Sequence, residues 1–168
     1  MGSVLIVDDE PLVRVSVSSM IDWRSHGMGG VHTAANGAEA LSIVEKQSDV
    51  SLVLLDLVMP VMDGLQFLRE IRGKSVAPQI VVLSSHDEYP GVREAFRLGA
   101  MDYILKTDLA PDTLTDLLRR TRNNNDGTED GGRSPGNDLT SLQRGYLRSL
   151  LLNPGELPSN GSREELSI

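Results

Sequence analysis

Four short runs of consecutive apolar residues punctuate the first two thirds of the chain. They are Val4–Val7, Leu52–Leu55, Ile80–Leu83 and Tyr103–Leu105. Because their apolar residues are continuous instead of alternating with polar ones, these runs are typical of parallel strands covered on both faces. A weaker run, Val31–Ala35, predicts a fifth strand at the edge of the sheet.

Segments with apolar residues at helical spacing lie between and after these runs. Their apolar positions are Leu12, Val13, Val17, Met20 and Ile21; Leu41 and Val44; Leu65, Leu68 and Ile71; Val92, Ala95 and Phe96; and Leu114, Leu117 and Leu118. Gly99 stands where a helix needs a left-handed exit, and Pro111 suits the first turn of the last helix. Alternating strands and helices predict an α/β domain with helices on both faces of a parallel sheet.

The composition changes after Arg122. Residues 123–137 contain no large apolar side chain, so they have nothing to bury against the entropy of ordering and are predicted to form a flexible linker. Residues 3–122 are therefore expected to carry the fold. Beyond the linker, residues 138–152 have the apolar spacing of a short amphipathic helix, and residues 153–168 form a tail.

Composition removes several classes of protein from consideration. The chain has 168 residues, no cysteine and a formal net charge of −8. The lack of cysteine excludes disulfide scaffolds, thiolate metal sites and cysteine nucleophiles. No apolar run approaches the roughly 20 residues of a membrane helix, and the acidic charge is unfavourable for nucleic-acid phosphates. We expect a cytoplasmic protein without a membrane partner.

Polar or charged residues follow each of the four strong runs. Asp8 and Asp9 follow the first, Asp56 the second, Ser84 the third and Lys106 the fourth. In an open parallel sheet the carboxyl ends of the strands share one edge, where ligands gather. Three acids, one hydroxyl and one ammonium are therefore predicted to converge there.

This set of groups favours a particular chemistry. Crowded carboxylates need a compensating cation, and oxygen ligands without histidine or cysteine indicate a hard ion, Mg²⁺ first. A metal ion and an ammonium together suit an anion with several oxygens, such as a phosphoryl group. Singly, each residue has an ordinary explanation: Asp8 or Asp9 as a helix cap, Asp56 as a turn residue, Lys106 as a surface charge. Their coincidence at four strand ends favours a site.

Four segments resemble the receiver domain of two-component response regulators. They are LIVDDEP (residues 5–11), LLDLVMPVMDG (54–64), VVLSSHDEY (81–89) and GAMDYILK (99–106). The likeness runs in order through residues 3–122. It implies a flavodoxin-like doubly wound sheet of five parallel strands in the order 2-1-3-4-5, with five helices.

The resemblance also implies roles for individual residues. Asp56 would accept a phosphoryl group from a sensor histidine kinase. Asp9, Asp56 and the Val58 carbonyl would bind Mg²⁺ directly, and Asp8 would act through water. Lys106 would pair first with the acceptor carboxylate and then with the phosphoryl oxygens.

Two further residues would form the switch. Ser84 would hydrogen-bond the phosphoryl group, and Tyr103 would move into the space that Ser84 vacates.

Two positions depart from the family. Family members usually have proline after the lysine, often after a cis peptide bond, but here Thr107 follows. Since a cis bond before a non-proline residue costs about 2.5–4 kcal/mol, we expect a trans bond with a reshaped loop or a strained cis bond. Val58 is the other departure, because many relatives have a polar residue there.

Short segments suggest the branch of the family. Ile21-Asp22-Trp23 and residues 146–151 resemble response regulators that continue into an AraC-like helix-turn-helix region, although Trp23 is more often simply a packed aromatic. The full-length protein would then regulate transcription, with DNA bound only through an output region absent from this chain. A homodimer held by salt bridges of Arg119, Arg120 and Arg122 is left open.

Three hypotheses follow. The first is a phosphorylatable receiver that is not an enzyme beyond its own phosphorylation and slow dephosphorylation. The second is a degenerate receiver that binds partners without phosphorylation, for which Thr107 is the support. The third is a Mg²⁺-dependent phosphatase, which is disfavoured because Val58 occupies the position of a second catalytic aspartate.

Overall fold

Strands and helices alternate along the chain in the computed structural model, which describes residues 1–74, 77–85 and 89–125. These residues form five strands, five α-helices and one 3₁₀ turn. The order is β1 Ser3–Val7, α1 Pro11–Met20, β2 Val31–Ala34, α2 Gly37–Lys46, β3 Val50–Asp56, α3 Gly64–Ile71, β4 Gln79–Ser84, α4 Tyr89–Arg97, β5 Asp102–Leu105, η1 Lys106–Asp108 and α5 Pro111–Asn125.

The five strands form one sheet in the order β2-β1-β3-β4-β5, and every neighbouring pair is parallel. This confirms the predicted fold and strand order. β2 lies at the edge as expected and ends at Ala34, one residue before the predicted end. β3 and β4 are longer than their apolar runs, because backbone pairing continues through Asp56 and Ser84 whatever the polarity of their side chains.

Alternate residues of the central strands pack into two separate cores. On one face, Leu5 and Val53 pack with buried residues of α2, α3 and α4, among them Phe67. On the other face, Ile6 and Leu54 pack with buried residues of α1 and α5. Because successive side chains point to opposite faces of a sheet, a strand covered on both sides must be apolar at every position. This explains the continuous apolar runs.

Local signals in the sequence set several helix ends. Gly99 has a φ of +106°, the left-handed backbone predicted for it, and α5 begins at Pro111. α3 begins with a capping box in which the Asp63 side chain accepts from the Gln66 backbone at 2.8 Å and the Gln66 side chain accepts from the Asp63 backbone at 3.2 Å. Such reciprocal bonds satisfy two backbone donors that a helix start would otherwise leave open.

Trp23 is packed inside the protein just beyond the end of α1. Only 4% of its surface is exposed, and its indole Nε1 donates to the Ser18 carbonyl at 3.0 Å. The ordinary interpretation of this residue, a buried aromatic at a helix end, is therefore confirmed.

α5 continues through Asn125, three residues into the segment predicted as a linker. The remainder of that segment, the predicted helix 138–152 and the tail 153–168 lie outside the described residues, and the chain divides into two units, Met1–Thr128 and Glu129–Ile168. In the part of the chain that the structure describes, no helix has the length and apolar character needed to span a bilayer.

The buried ring of Phe67 gives a direct test of this packing. We expect Phe67→Ala to lower the free energy of unfolding by about 3–5 kcal/mol, because it leaves a cavity in a fully buried position. Leu12→Ala, at a helical position that is 83% exposed, should change it by less than about 0.5 kcal/mol. Urea unfolding followed by the fluorescence of Trp23 measures both, and equal losses would contradict the arrangement.

Candidate functional site

The pairing of β1 with β3 places two aspartates at the same edge of the sheet. Val7 is paired with Leu55, so the residues that follow, Asp8 and Asp56, lie next to each other at the carboxyl ends of neighbouring strands. Both are buried, with exposed fractions of 0% and 2%. Burial of two carboxylates side by side is unfavourable unless a cation accompanies them.

The pairing of β3, β4 and β5 brings the other predicted residues to this edge. Asp56 is paired with Leu83 and Ser84 with Leu105, so that Lys106 leaves the sheet one step beyond them. Ser84 is itself buried. The register of three parallel strands therefore determines where the acid, the hydroxyl and the ammonium lie.

Lys106 is the cation between the buried acids. Its Nζ lies 2.9 Å from Oδ2 of Asp56, to which it donates a hydrogen bond, and 2.8 Å from Oδ2 of Asp8. A third carboxylate, that of Glu10, is 3.6 Å away and largely exposed. The ammonium is itself mostly buried, so its contacts with Asp8 and Asp56 are shielded from the solvent that weakens surface ion pairs.

The environment changes the ionisation of both partners. Burial raises the pKa of Asp56 from 3.8 to about 6; the hydrogen bond and charge of Lys106 oppose this change, and the nearby charge of Asp8 adds to it. For Lys106, burial lowers the pKa, but the hydrogen bonds and charges of Asp8 and Asp56 outweigh it, so the pKa is raised above its usual value. Near neutral pH Lys106 is therefore protonated and most Asp56 carboxyls are ionised, although a proton is held more tightly there than in water.

Asp8, Asp9 and Glu10 form an acidic cluster next to this ion pair. Each offers a carboxylate oxygen, and these three oxygens lie within 4.8 Å of one another. Asp8 is buried, whereas Asp9 and Glu10 are exposed. Oxygen donors from acids, some of them open to solvent, fit Mg²⁺, which binds to one or two carboxylates and keeps several waters. Sequence reasoning did not select Glu10, although it is part of the same DDE run.

Neither Asp8 nor Asp9 caps the helix that follows. The N-cap of α1 is Glu10, without a side-chain capping bond, and Pro11 is the first helical residue. Oδ1 of Asp8 instead accepts a hydrogen bond from the Glu10 backbone at 2.9 Å, which holds the carboxylate in place. The capping explanation of these two acids is therefore wrong.

The loop after Asp56 is fixed by close backbone contacts. The Val58 backbone donates a long hydrogen bond of 3.3 Å to Oδ1 of Asp56, while the Val58 side chain is exposed. Gly64 donates to the Leu57 carbonyl at 3.0 Å, and a Cβ on Gly64 would lie 2.3 Å from the Asp56 carbonyl. Only glycine allows the start of α3 to approach the strand end so closely.

Val61 has a strained backbone in the same loop. Its φ is +69°, a conformation that is a genuine outlier for a β-branched residue. Met62 N donates to the Pro60 carbonyl at 2.8 Å, so Val61 is the central residue of a γ-turn with positive φ. Backbone strain of this kind, worth about 1–3 kcal/mol, is concentrated at functional sites.

The bond between Lys106 and Thr107 settles the alternatives left by the missing proline. No cis peptide bond occurs among the residues that the structure describes, so this bond is trans, and the loop forms the 3₁₀ turn η1. Lys106 nevertheless keeps its contacts with Asp8 and Asp56. Of the two alternatives, the structure has the trans bond, and the ammonium contacts both acids.

Tyr103 lies on β5, half-buried against a helix. Its ring meets that of Phe96, from α4, edge to face, with centroids 6.2 Å apart and an interplanar angle of 85°. Phe96 and Tyr103 both pack against the core that covers one face of the sheet. The structure therefore gives Tyr103 a packing role, as expected for it whether or not it moves.

Comparison with known proteins identifies the family. The model of the response regulator receiver domain matches residues 4–119. A parallel sheet of this order with acids at its carboxyl edge is the architecture of a signal-receiving domain, and the chain belongs to the response regulator receiver family.

Named relatives agree with this assignment. The nitrate/nitrite response regulator protein NarL of Escherichia coli (strain K12) is 36% identical over 119 residues, which cover 71% of this chain and 54% of the relative. The transcriptional regulatory protein HptR of Staphylococcus aureus (strain NCTC 8325 / PS 47) is 31% identical over 106 residues, covering 63% and 41%. The chain spans about half or less of the length of the curated relatives that it matches.

Solved structures show the same fold. The REC domain of AraT, a response regulator from Geobacillus stearothermophilus, has a TM-score of 0.67 and 33% identity, and the match covers 73% of this chain and 94% of that one. The chemotaxis protein CheY4 of Vibrio cholerae has a TM-score of 0.63 and 32% identity, covering 72% and 98%.

The raised pKa of Asp56 predicts how stability depends on pH. Because the folded protein holds this proton more tightly than the unfolded chain, Asp56 makes stability fall as pH rises from about 4 to about 6. Asp56→Asn removes this dependence. The free energy of unfolding of the variant relative to the unaltered protein should therefore rise by up to about 3 kcal/mol across this window. Urea titrations in EDTA at several pH values measure it, and a constant difference would contradict the raised pKa.

The strained turn predicts a stabilising substitution. Val61→Gly should raise the free energy of unfolding by about 1 kcal/mol, because glycine tolerates positive φ and the valine side chain is 84% exposed. Val15→Gly is the matched control, since Val15 is exposed but lies within α1, where glycine should be destabilising. A loss of stability in Val61→Gly would show that the turn is not strained.

Proposed function

We propose that this receiver domain accepts a phosphoryl group on Asp56. The observation that carries the proposal is the buried Asp56 carboxylate held at 2.9 Å by Lys106, within a chain whose family is the response regulator receiver. An oxygen of Asp56 attacks the phosphorus, and the bond from phosphorus to the leaving group of the donor breaks. The product is an acyl phosphate, and the donor in the cell is a sensor histidine kinase.

The residues around Asp56 suit this step. Phosphoryl transfer depends mainly on positioning and on neutralising charge, and Lys106 is placed to keep a positive charge beside the acceptor. Asp9, Asp56 and the Val58 carbonyl would hold Mg²⁺, with Asp8 acting through water. When bound, the ion neutralises part of the charge on the phosphoryl oxygens.

Ser84 and Tyr103 are proposed as the switch. An acyl phosphate adds about −1.5 to −2 charge, by analogy with other phosphorylated side chains. Ser84, whose backbone is fixed by its place in β4, would hydrogen-bond the new oxygens, and Tyr103 would shift inward. The change is a shift of population between two packings, set by the contacts that the phosphoryl group makes in each.

The output is proposed to be regulation of transcription. The support is that the relative HptR is named a transcriptional regulatory protein. DNA binding would belong to an output region, and assignment to the AraC-like branch stays a prediction. A homodimer and a cytoplasmic location are part of the same proposal.

No observation now favours the alternatives. The degenerate receiver was supported by Thr107, but Lys106 still contacts Asp56. The phosphatase needs a second acid two residues beyond the nucleophile, where the apolar Val58 stands.

Treatment with acetyl phosphate tests the proposal. Mass spectrometry of the intact chain should show one added phosphoryl group that is stable in acid and labile in base, and its formation should need Mg²⁺. Asp56→Asn should abolish it, because the acceptor oxygen is replaced by an amide.

Asp116→Asn is the matched control for this experiment, since Asp116 is exposed on α5 and pairs only locally with Arg119. It should be phosphorylated like the unaltered chain. Undiminished phosphorylation of Asp56→Asn would rule out Asp56 as the acceptor, and no phosphorylation of the unaltered chain would favour the degenerate receiver.

A further inference from the structure

Arg14 reaches back from α1 to the acidic cluster. Its Nη1 donates a hydrogen bond of 2.6 Å to the backbone carbonyl of Asp8, six residues earlier. The guanidinium is half-buried, and none of the carboxylates in the described residues lies within ion-pair distance of it. The guanidinium therefore bonds to the peptide group that joins Asp8 to Asp9.

Besides the contact of its Oδ2 with Lys106, the Asp8 residue is held at three polar groups. Its backbone N donates to the Ala34 carbonyl at 3.1 Å, its Oδ1 accepts from the Glu10 backbone at 2.9 Å, and its carbonyl accepts from Arg14. The donors of the first two bonds are backbone N–H groups, which any residue other than proline supplies at positions 8 and 10. The third depends on the side chain at position 14.

This third bond restrains the peptide group that leads to Asp9. The Asp8 carbonyl belongs to the peptide group that joins the two acids, and a peptide group is planar. A hydrogen bond to its oxygen therefore restrains the plane from which the Asp9 backbone continues. Asp9 is exposed, so packing does little to orient it beyond this bond and the bond from the Glu10 backbone to Oδ1 of Asp8.

We propose that Arg14 is a positioning residue for the Mg²⁺ site, acting through the Asp8–Asp9 peptide and not by contact with the ion. The proposal rests on the proposed function, because it assigns Arg14 to the same site. Partners that orient metal ligands typically contribute 10- to 100-fold to metal affinity.

The charge of Arg14 and its hydrogen bond would affect Mg²⁺ binding in opposite directions. A guanidinium close to a divalent cation repels it, so removing the charge alone would tighten Mg²⁺ binding. Removing the hydrogen bond would weaken it if Arg14 positions Asp9. A purely structural role in α1 would lower stability and leave Mg²⁺ affinity unchanged.

Calorimetric titration of the full 168-residue chain with Mg²⁺ at fixed pH and salt tests this. We expect Arg14→Met, similar in length but without donors or charge, to raise the Kd for Mg²⁺ about tenfold or more. Arg14→Lys keeps the charge and one flexible donor, so its Kd should lie between those of Arg14→Met and the unaltered chain. Arg119→Met removes an exposed cation on α5 and should leave the Kd within about twofold.

The outcomes separate the possibilities. An unchanged or lower Kd in Arg14→Met, with the unaltered chain binding Mg²⁺, overturns the positioning role and leaves the proposed function standing. No Mg²⁺ binding by the unaltered chain overturns both. If Arg14→Met does not unfold cooperatively, Arg14→Leu, which also lacks donors and charge, takes its place with the same expected rise in Kd, and an unchanged Kd there overturns the inference equally.

Discussion

The ammonium of Lys106 lies between two carboxylates that the sheet removes from water, and this contact underlies the rest of the site. Asp8 directly follows β1 and Asp56 ends the neighbouring strand β3, and two buried negative charges side by side would repel each other and lose hydration. Lys106 offsets both the repulsion and the lost hydration, because its Nζ lies 2.8 Å from Oδ2 of Asp8 and 2.9 Å from Oδ2 of Asp56. Because it follows β5, the relief requires β5 to be paired in register with β4. The ion pairs at this edge therefore depend on the strand order of the sheet.

The fold could be predicted from the sequence because burial on both faces leaves a plain signal. Continuous runs such as Leu52–Leu55 can only be parallel strands or buried helices, and their length and spacing favour strands. Asp56 and Ser84 were predicted to follow their strands, but each proves to be the last residue of one. Polarity suggested an earlier end, whereas backbone pairing does not depend on the side chain.

Other features of the structure could not be predicted from the sequence. The positive φ of Val61 contradicts the preference of valine, so propensity predicts the opposite. The bond from Arg14 to Asp8 joins a side chain to a backbone carbonyl across a helix start. Because every residue type has this carbonyl, the residue at position 8 does not indicate the bond. Thr107 differs from both: the departure was visible in the sequence, and in the structure a trans bond leads into the turn η1 while Lys106 contacts Asp56.

The acids, Ser84 and Lys106 all lie at the carboxyl edge of the sheet, and this separation bears on how the domain can evolve. At the opposite edge, Ser3 N donates to the Asp49 carbonyl and Gly29 N to the Gly2 carbonyl, so that the segments before β2 and β3 are bonded to the start of β1. These bonds involve none of the site residues. Loops at this edge can therefore change in sequence and length while the chemistry at the other end is kept, provided that the strand register is preserved.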